Sequence, residues 1–184
     1  MNGDGLTTAL ECVGRGWAVV PGARWVDDAY VDPVTGFERD SLALCPPHKG
    51  TSDPEVVRRW WSSADNGVTR SVLVVVGPAL SAVAIEPDRA RTLVEWETFR
   101  SASTPVVLLP LPVAGLSLEF AVFLLASSEA LDDEVVLPPD ATVPLPPAVV
   151  EGYEARWLVS PAECDAPMFG PDLARLLSET SGHR

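Results

Sequence analysis

The amino-acid sequence predicts an α+β protein, a mixed sheet flanked by helices, and three observations predict it. Short apolar runs at 17–21, 72–76, 82–85, 106–109 and 118–125 have the length of strands and are bounded by glycine, proline or polar residues. Segments at 6–13, 51–61 and 88–99 carry apolar residues at helical spacing instead. The two kinds alternate along the chain, the order of a sheet covered by helices. With 184 residues, 47% of them hydrophobic, the chain has the size of one domain, 1–184, and enough apolar material for a core.

The first element is a short helix over 6–13, where Leu6, Leu10 and Val13 share a face and Thr7 or Thr8 stands near the start. Gly14 and Gly16 end it, and Trp17-Ala18-Val19-Val20-Pro21 reads as a buried strand that stops at proline. Residues 22–50 show no period and are expected to form a long irregular loop with a small hairpin at Asp32-Pro33-Val34-Thr35-Gly36. Loops of that length in a compact domain often carry function. A helix over 51–61 is the clearest element. Its start has two readings: Ser52 as cap with Glu55 completing a capping box, or Asp53 as cap with Pro54 in the first helical position. Val56, Val57, Trp60 and Trp61 make an apolar stripe, and Asn66-Gly67 is a turn beyond it.

Val72–Val76 and Ala82–Ile85, separated by Gly77-Pro78-Ala79-Leu80, read as neighbouring buried strands. The helix over 88–99 turns Leu93, Trp96 and Phe99 inward and Arg89, Arg91, Glu95, Glu97 and Arg100 outward. Residues 105–125 are apolar enough to suggest a membrane span, but Pro105, Pro110, Pro112, Gly115 and Glu119 would break it. Two strands joined by a turn around Ala114-Gly115 fit better. An acidic loop (Glu129, Asp132, Asp133, Glu134), a short strand at 135–137, a proline-rich connection over 138–147 and a strand over 153–159 follow. The stretch 160–184 is expected to be a C-terminal helix, 171–178, with a tail.

Charge narrows the function classes. Twenty-six acidic against 13 basic side chains leave a net charge of −13, which argues against a large polyanion-binding surface and leaves room only for a local basic patch. The start has neither a positive region nor an apolar one, so no secretory signal is expected. The cysteines Cys12, Cys45 and Cys164 are odd in number and widely spaced, which points to reduced thiols in a cytoplasmic protein, and the broken apolar stretch at 105–125 leaves no membrane partner expected. No phosphate-binding loop and no dinucleotide fingerprint is present, and two histidines offer no Ser-His-Asp arrangement.

One basic patch stands out. Across 49–70, Lys49, Arg58, Arg59 and Arg70 face Asp53, Glu55 and Asp65, leaving +1 in a strongly acidic chain. Arg58 and Arg59 beside two tryptophans suit single-stranded nucleic acid, by phosphate contact and base stacking. The stripe period equally accounts for Trp60 and Trp61 as core with the arginines as their polar rim. Lys49 can meet a phosphate or be an ordinary loop lysine. Cys45-Pro46-Pro47-His48 has the spacing of half a zinc site, with Cys12, Cys164 and His183 the remaining cysteines and histidine.

Several of these motifs come in a known order. Arg15-Gly16-Trp17-Ala18-Val19-Val20-Pro21 is followed by Gly50-Thr51-Ser52-Asp53-Pro54-Glu55-Val56-Val57-Arg58-Arg59-Trp60-Trp61, then Asn66-Gly67-Val68, then Pro146-Pro147, Gly152-Tyr153 and Trp157. The series resembles the bifunctional DNA primase/polymerase (prim-pol) amino-terminal domain of the archaeo-eukaryotic primase superfamily, most of all its divergent actinobacterial members. The resemblance spans 6–157, is specific in the Trp60-Trp61 helix, and implies a prim-pol-like scaffold. It also implies two-metal nucleotidyl transfer, with Mg²⁺ or Mn²⁺ held by paired carboxylates on a strand and a histidine facing the phosphates.

At the corresponding positions the chain departs from that pattern. Glu86-Pro87-Asp88 stands where the carboxylate pair belongs, and both acids are candidate metal ligands, although Asp88 also reads as the cap of the following helix. Ser117-Leu118-Glu119 puts a carboxylate, Glu119, where the histidine belongs. Asp132 or Asp133 can stand for a third carboxylate or belong to a solvated loop. The expectation is therefore a catalytically degenerate domain, a nucleotide- or nucleic-acid-associated accessory or a protein-interaction module. Lys49, Arg58 and Arg59 are its binding candidates, and Glu86, Asp88 and Glu119 its vestigial catalytic ones. The alternative is an active nucleotidyltransferase that uses those three acids with Mg²⁺ or Mn²⁺. A third reading is a small acidic structural protein whose likeness is only ancestral.

Overall fold

The computed structural model describes residues 5–62, 70–95, 104–113, 116–129, 131, 135–164 and 167–181. The protein is α+β, with several small antiparallel sheets and four helices among the described residues. None of these helices is long and apolar enough to cross a membrane. The chain divides into two compact units, Met1–Val76 with Pro139–Arg156, and Gly77–Pro138 with Trp157–Arg184.

In the first unit, α1 (Gly5–Gly14) buries Ala9, Cys12 and Val13, and ends where Gly16 takes a φ of 80° and donates its N–H to Val13 O at 2.9 Å. That left-handed conformation is one glycine adopts without strain. Strand β1 (Val19–Gly22) pairs antiparallel with β5 (Ser71–Val75), whose other edge pairs with β9 (Thr142–Leu145). All five residues of β5 are buried, as a central strand covered on both faces should be. Pro144 is tolerated because β9 is an edge strand and a missing N–H breaks no ladder there.

Residues 22–50, expected to be irregular, hold a three-stranded meander: β2 (Arg24–Val26), β3 (Ala29–Val31) and β4 (Glu38–Arg39). The strands are two or three residues long and none of their residues is fully buried, so no alternation develops for a sequence pattern to reveal. The β2–β3 turn is made by Asp27 and Asp28 at φ of 49° and 64°, the paired left-handed residues of a two-residue hairpin. The expected hairpin at 32–36 is the β3–β4 connection, closed by Gly36 N–H to Asp32 O at 2.8 Å and Asp32 N–H to Phe37 O at 2.9 Å. A further hairpin, β10 (Val149–Val150) and β11 (Tyr153–Glu154), meets the meander: the Tyr30 hydroxyl accepts the Glu151 N–H at 3.2 Å.

Helix α2 (Pro54–Ser62) settles its own start. Asp53 Oδ1 accepts the Glu55 N–H at 2.8 Å, so Asp53 is the cap and Pro54 the first helical residue. Val57 and Trp61 are buried, whereas Val56 and Trp60 are half-buried, so the apolar stripe is only partly core.

The second unit contains β6 (Ser81–Ile85), α3 (Pro87–Glu95), β7 (Val106–Val113), β8 (Leu116–Leu125), β12 (Arg156–Val159) and α4 (Gly170–Ser181). Its sheet runs β12–β7–β8–β6, so β8 lies between the two strands that α3 connects, a split βαβ arrangement. The β7–β8 register runs from Val106↔Phe123 to Val113↔Leu116 and brackets the expected turn at 114–115, itself outside the described residues. Strands β5 and β6 are not the neighbours expected. Both edges of β5 are occupied by β1 and β9, and the Gly77–Leu80 turn, closed by reciprocal bonds of 2.9 and 3.1 Å, passes the chain into the other sheet.

Ala121, Phe123 and Leu125 of β8 share one face and pack with Val83, Ile85, Val106 and Leu108, with Ala90 and Leu93 of α3 and with Leu173 and Leu176 of α4. Burying a side chain such as Phe123 contributes about 1.5–3 kcal/mol. Thr104, fully buried, donates to Leu124 O and accepts the Met168 N–H at 3.2 Å, so no polar group is stranded there. The expected strand at 135–137 is a single bridge, Val136↔Val83. The expected strand at 153–159 is two, β11 and β12, parted at buried Ala155. Asn66, Gly67, Trp96, Phe99, Asp132, Asp133 and His183 lie outside the described residues.

Candidate functional site

The three acidic candidates belong to the second unit. Strand β6 ends at Ile85, exposed Glu86 follows, and α3 begins at Pro87. Asp88 thus stands inside the first turn rather than ahead of it, and the capping position falls to Glu86, whose carbonyl accepts the Ala90 N–H at 3.0 Å. Glu119 continues the row of Ala121, Phe123 and Leu125 along β8, since side chains two apart share a face. It comes where that apolar row runs out, and its side chain is 29% exposed.

Arg91 is one helical turn beyond Asp88. Its Nη1 lies 3.2 Å from Asp88 Oδ1 and its Nη2 lies 3.3 Å from Glu119 Oε2. One guanidinium therefore bridges two of the three candidate acids across 28 residues of sequence. An anionic pair around a cation is what metal binding would need, but the cation in place belongs to the chain itself. Asp88 is almost wholly exposed, so its share of the pairing adds little to stability. Among the described residues, no three of His, Cys, Asp and Glu gather as a metal site. The arrangement present does not fit a Mg²⁺ or Mn²⁺ site without displacement of Arg91.

The basic candidates belong to the first unit and separate from one another. Arg58 and Arg59 are exposed on α2, and Arg58 pairs with Glu55 one turn back. Lys49 ends a 3₁₀ turn (Pro47–Lys49), and Gly50 follows where a side chain would lie 2.9 Å from Val75 Cγ2, so the turn packs closely on β5. Lys49 lines a pocket of about 290 Å³ together with Pro21, Asp32, Leu44, Cys45, Trp60 and Arg70. Trp60 is thus neither simply core nor part of an open arginine–tryptophan strip.

Arg70 is the pocket's second cation. Its Nη1 donates to the Trp60 carbonyl, its own carbonyl accepts the Trp61 indole N–H at 3.3 Å, and its buried Nε has no hydrogen-bond partner among the described residues. Asp32 is 5% exposed, and its two oxygens are taken: Oδ1 by the Val34 N–H at 3.0 Å and Oδ2 by Arg39 at 3.2 Å. Burial pushes the Asp32 carboxyl upward, but those hydrogen bonds, one from Thr35 and the charge of Arg70 outweigh it and hold it below its ordinary value. The Cys45 thiol is pushed up by burial, against the opposing charges of Lys49 and Arg70. Cys45 and His48 gather no further Cys or His among the described residues.

Asp32 and Arg91 were not singled out by the sequence as functional, and Arg70 stood there only as one charge of the 49–70 patch, not among its binding candidates. Asp32 opens a turn, Arg70 directly precedes the buried strand β5, and Arg91 is one of several helix-face charges. Comparison with protein-family models, with curated proteins and with solved structures finds no match to the chain.

Proposed function

We propose that the chain is a divergent prim-pol-type domain that acts as a nucleotide- or nucleic-acid-associated accessory rather than as a polymerase. The observation that carries this reading is Arg91, whose guanidinium lies between Asp88 and Glu119. Nucleotidyl transfer by two metals needs carboxylates open to divalent ions, so that the ions can align the attacking hydroxyl and offset triphosphate charge. Here two of the three candidate carboxylates already share a cation, and a divalent ion would have to compete with that guanidinium for them. The motif series from Gly16-Trp17 to Trp157 supports the scaffold, and Lys49 and Arg70 beside Trp60 support contact with a phosphate-bearing partner.

The test is primer extension on a template with labelled nucleotides and Mg²⁺ or Mn²⁺, run beside single-strand binding over a salt series. No extension is expected, with binding at low salt that weakens as salt releases the ion atmosphere. Extension that disappears in Glu86→Ala would establish the active nucleotidyltransferase instead. Absence of binding even at low salt would leave a protein-interaction module or an acidic structural protein.

A further inference from the structure

We infer that the pocket of the first unit lined by Lys49, Arg70, Trp60 and Leu44 is a binding site for a small phosphomonoester that carries a flat apolar group. The inference does not rest on the polymerase question, which turns on side chains of the second unit.

Charge is the first argument. The chain carries −13, yet this pocket brings together two cations, Lys49 and Arg70, and one acid. That acid, Asp32, is paired with Arg39, so with this third cation counted the groups around the pocket remain net positive. The second argument is that one of these cations is fixed in place: Arg70 Nη1 donates to the Trp60 carbonyl, which anchors the guanidinium at the pocket wall.

The two cations favour phosphate over carboxylate. A carboxylate has two oxygens, which one arginine fork can satisfy. A phosphomonoester carries close to two charges at neutral pH and three acceptor oxygens. It can answer the charges of Arg70 and Lys49 together. Size and lining decide the rest of the ligand. About 290 Å³ is more than a phosphoryl group fills and lies at the lower end of small-molecule pockets. The remaining wall is Pro21, Leu44 and Trp60, suited to a ring or another flat apolar group rather than to a sugar chain.

Phenyl phosphate is the probe, with inorganic phosphate and benzoate as comparators, each titrated into the full chain by calorimetry and by protection of Cys45 from iodoacetamide. Phenyl phosphate is expected to bind tightest and to slow Cys45 alkylation, inorganic phosphate to bind more weakly, and benzoate weakest. Lys49→Ala changes an exposed residue and should keep the fold, checked by circular dichroism, while weakening phenyl phosphate at least about ten-fold. Arg70→Lys keeps the charge but loses the guanidinium held by the Trp60 carbonyl and should weaken it similarly, whereas Arg24→Ala on the exposed face of β2 should not. Three results would each overturn the assignment: no phenyl phosphate binding, benzoate binding as tightly, or binding unchanged in a folded Lys49→Ala protein.

Discussion

The two units solve the placing of charge in opposite ways. In the second unit the candidate acids stand at the rim of a continuous apolar core, and a neighbouring arginine on α3 answers two of them. In the first unit the charged groups Asp32 and Arg70 are drawn inward between short strands and turns, where hydrogen bonds hold them around a pocket. The contrast follows from strand length. The β7–β8 hairpin has eight paired positions and sets Val106, Leu108, Ala121 and Phe123 into one apolar core. The meander of β2, β3 and β4 cannot, so its folding depends on turn residues and on buried polar contacts. Rim charges are weakly coupled to stability and easily exchanged, whereas buried, engaged charges are tied to the fold.

The largest expected effect probes the apolar half of that contrast. Phe123→Ala removes a fully buried ring from the second unit and should destabilise it by about 3–5 kcal/mol. Urea unfolding followed by circular dichroism should then show an early transition, while tryptophan fluorescence of the first unit, read in a background with Trp96→Phe and Trp157→Phe, changes later. A single coincident transition would break the picture of two units with separate cores.

A middle-sized effect is expected from the buried charge of the first unit. Asp32→Asn should cost about 1–2 kcal/mol at neutral pH, because the engaged carboxylate loses its charge-assisted bonds. The folded Asp32 carboxyl titrates below its ordinary 3.8. Its contribution is therefore complete above that value and fades as pH falls through the lower folded one. The stability gap between wild type and Asp32→Asn should accordingly close in acid, as measured by denaturation at a series of pH values; a gap independent of pH would show that packing, not charge, makes the difference.

The smallest effect is expected at the rim. Arg91→Gln should change stability by less than about 1 kcal/mol, since both of its ion pairs are solvent-facing to a large degree. A loss several times larger, in the same urea assay, would mean that the second unit relies on its rim charges as the first relies on Asp32.

Much of this fold was legible beforehand. The helices near 6–13 and 51–61, the strands near 72–76 and 82–85 and the proline-broken hairpin within 105–125 all emerge with the expected type, because each has a period or a cap that local sequence carries. The cap of α2 was legible down to a choice between Ser52 and Asp53, which one hydrogen bond decides. The meander within 22–50 was not legible, since strands of two or three half-exposed residues have no period to detect. Of the candidate site residues, Asp88 and Glu119 do come near each other, though around Arg91, a residue that looked like one more exposed helix charge. Lys49 was marked for phosphate, but its companions Arg70 and Trp60 are 21 and 11 residues away and meet it only when α2 and β5 are in place.

Apolar periodicity, capping residues and proline positions act over a few neighbouring residues, so composition and order alone establish the α+β class, most helices and the chief strands of this chain. Which strands share a sheet depends on which edges remain open, and both edges of β5 are taken by β1 and β9. Which charges meet depends on the same long-range pairing. Electrostatic partners such as Arg91 with Glu119, or Asp32 with Arg70, are chosen by distance in space, and that distance exists only in the folded protein.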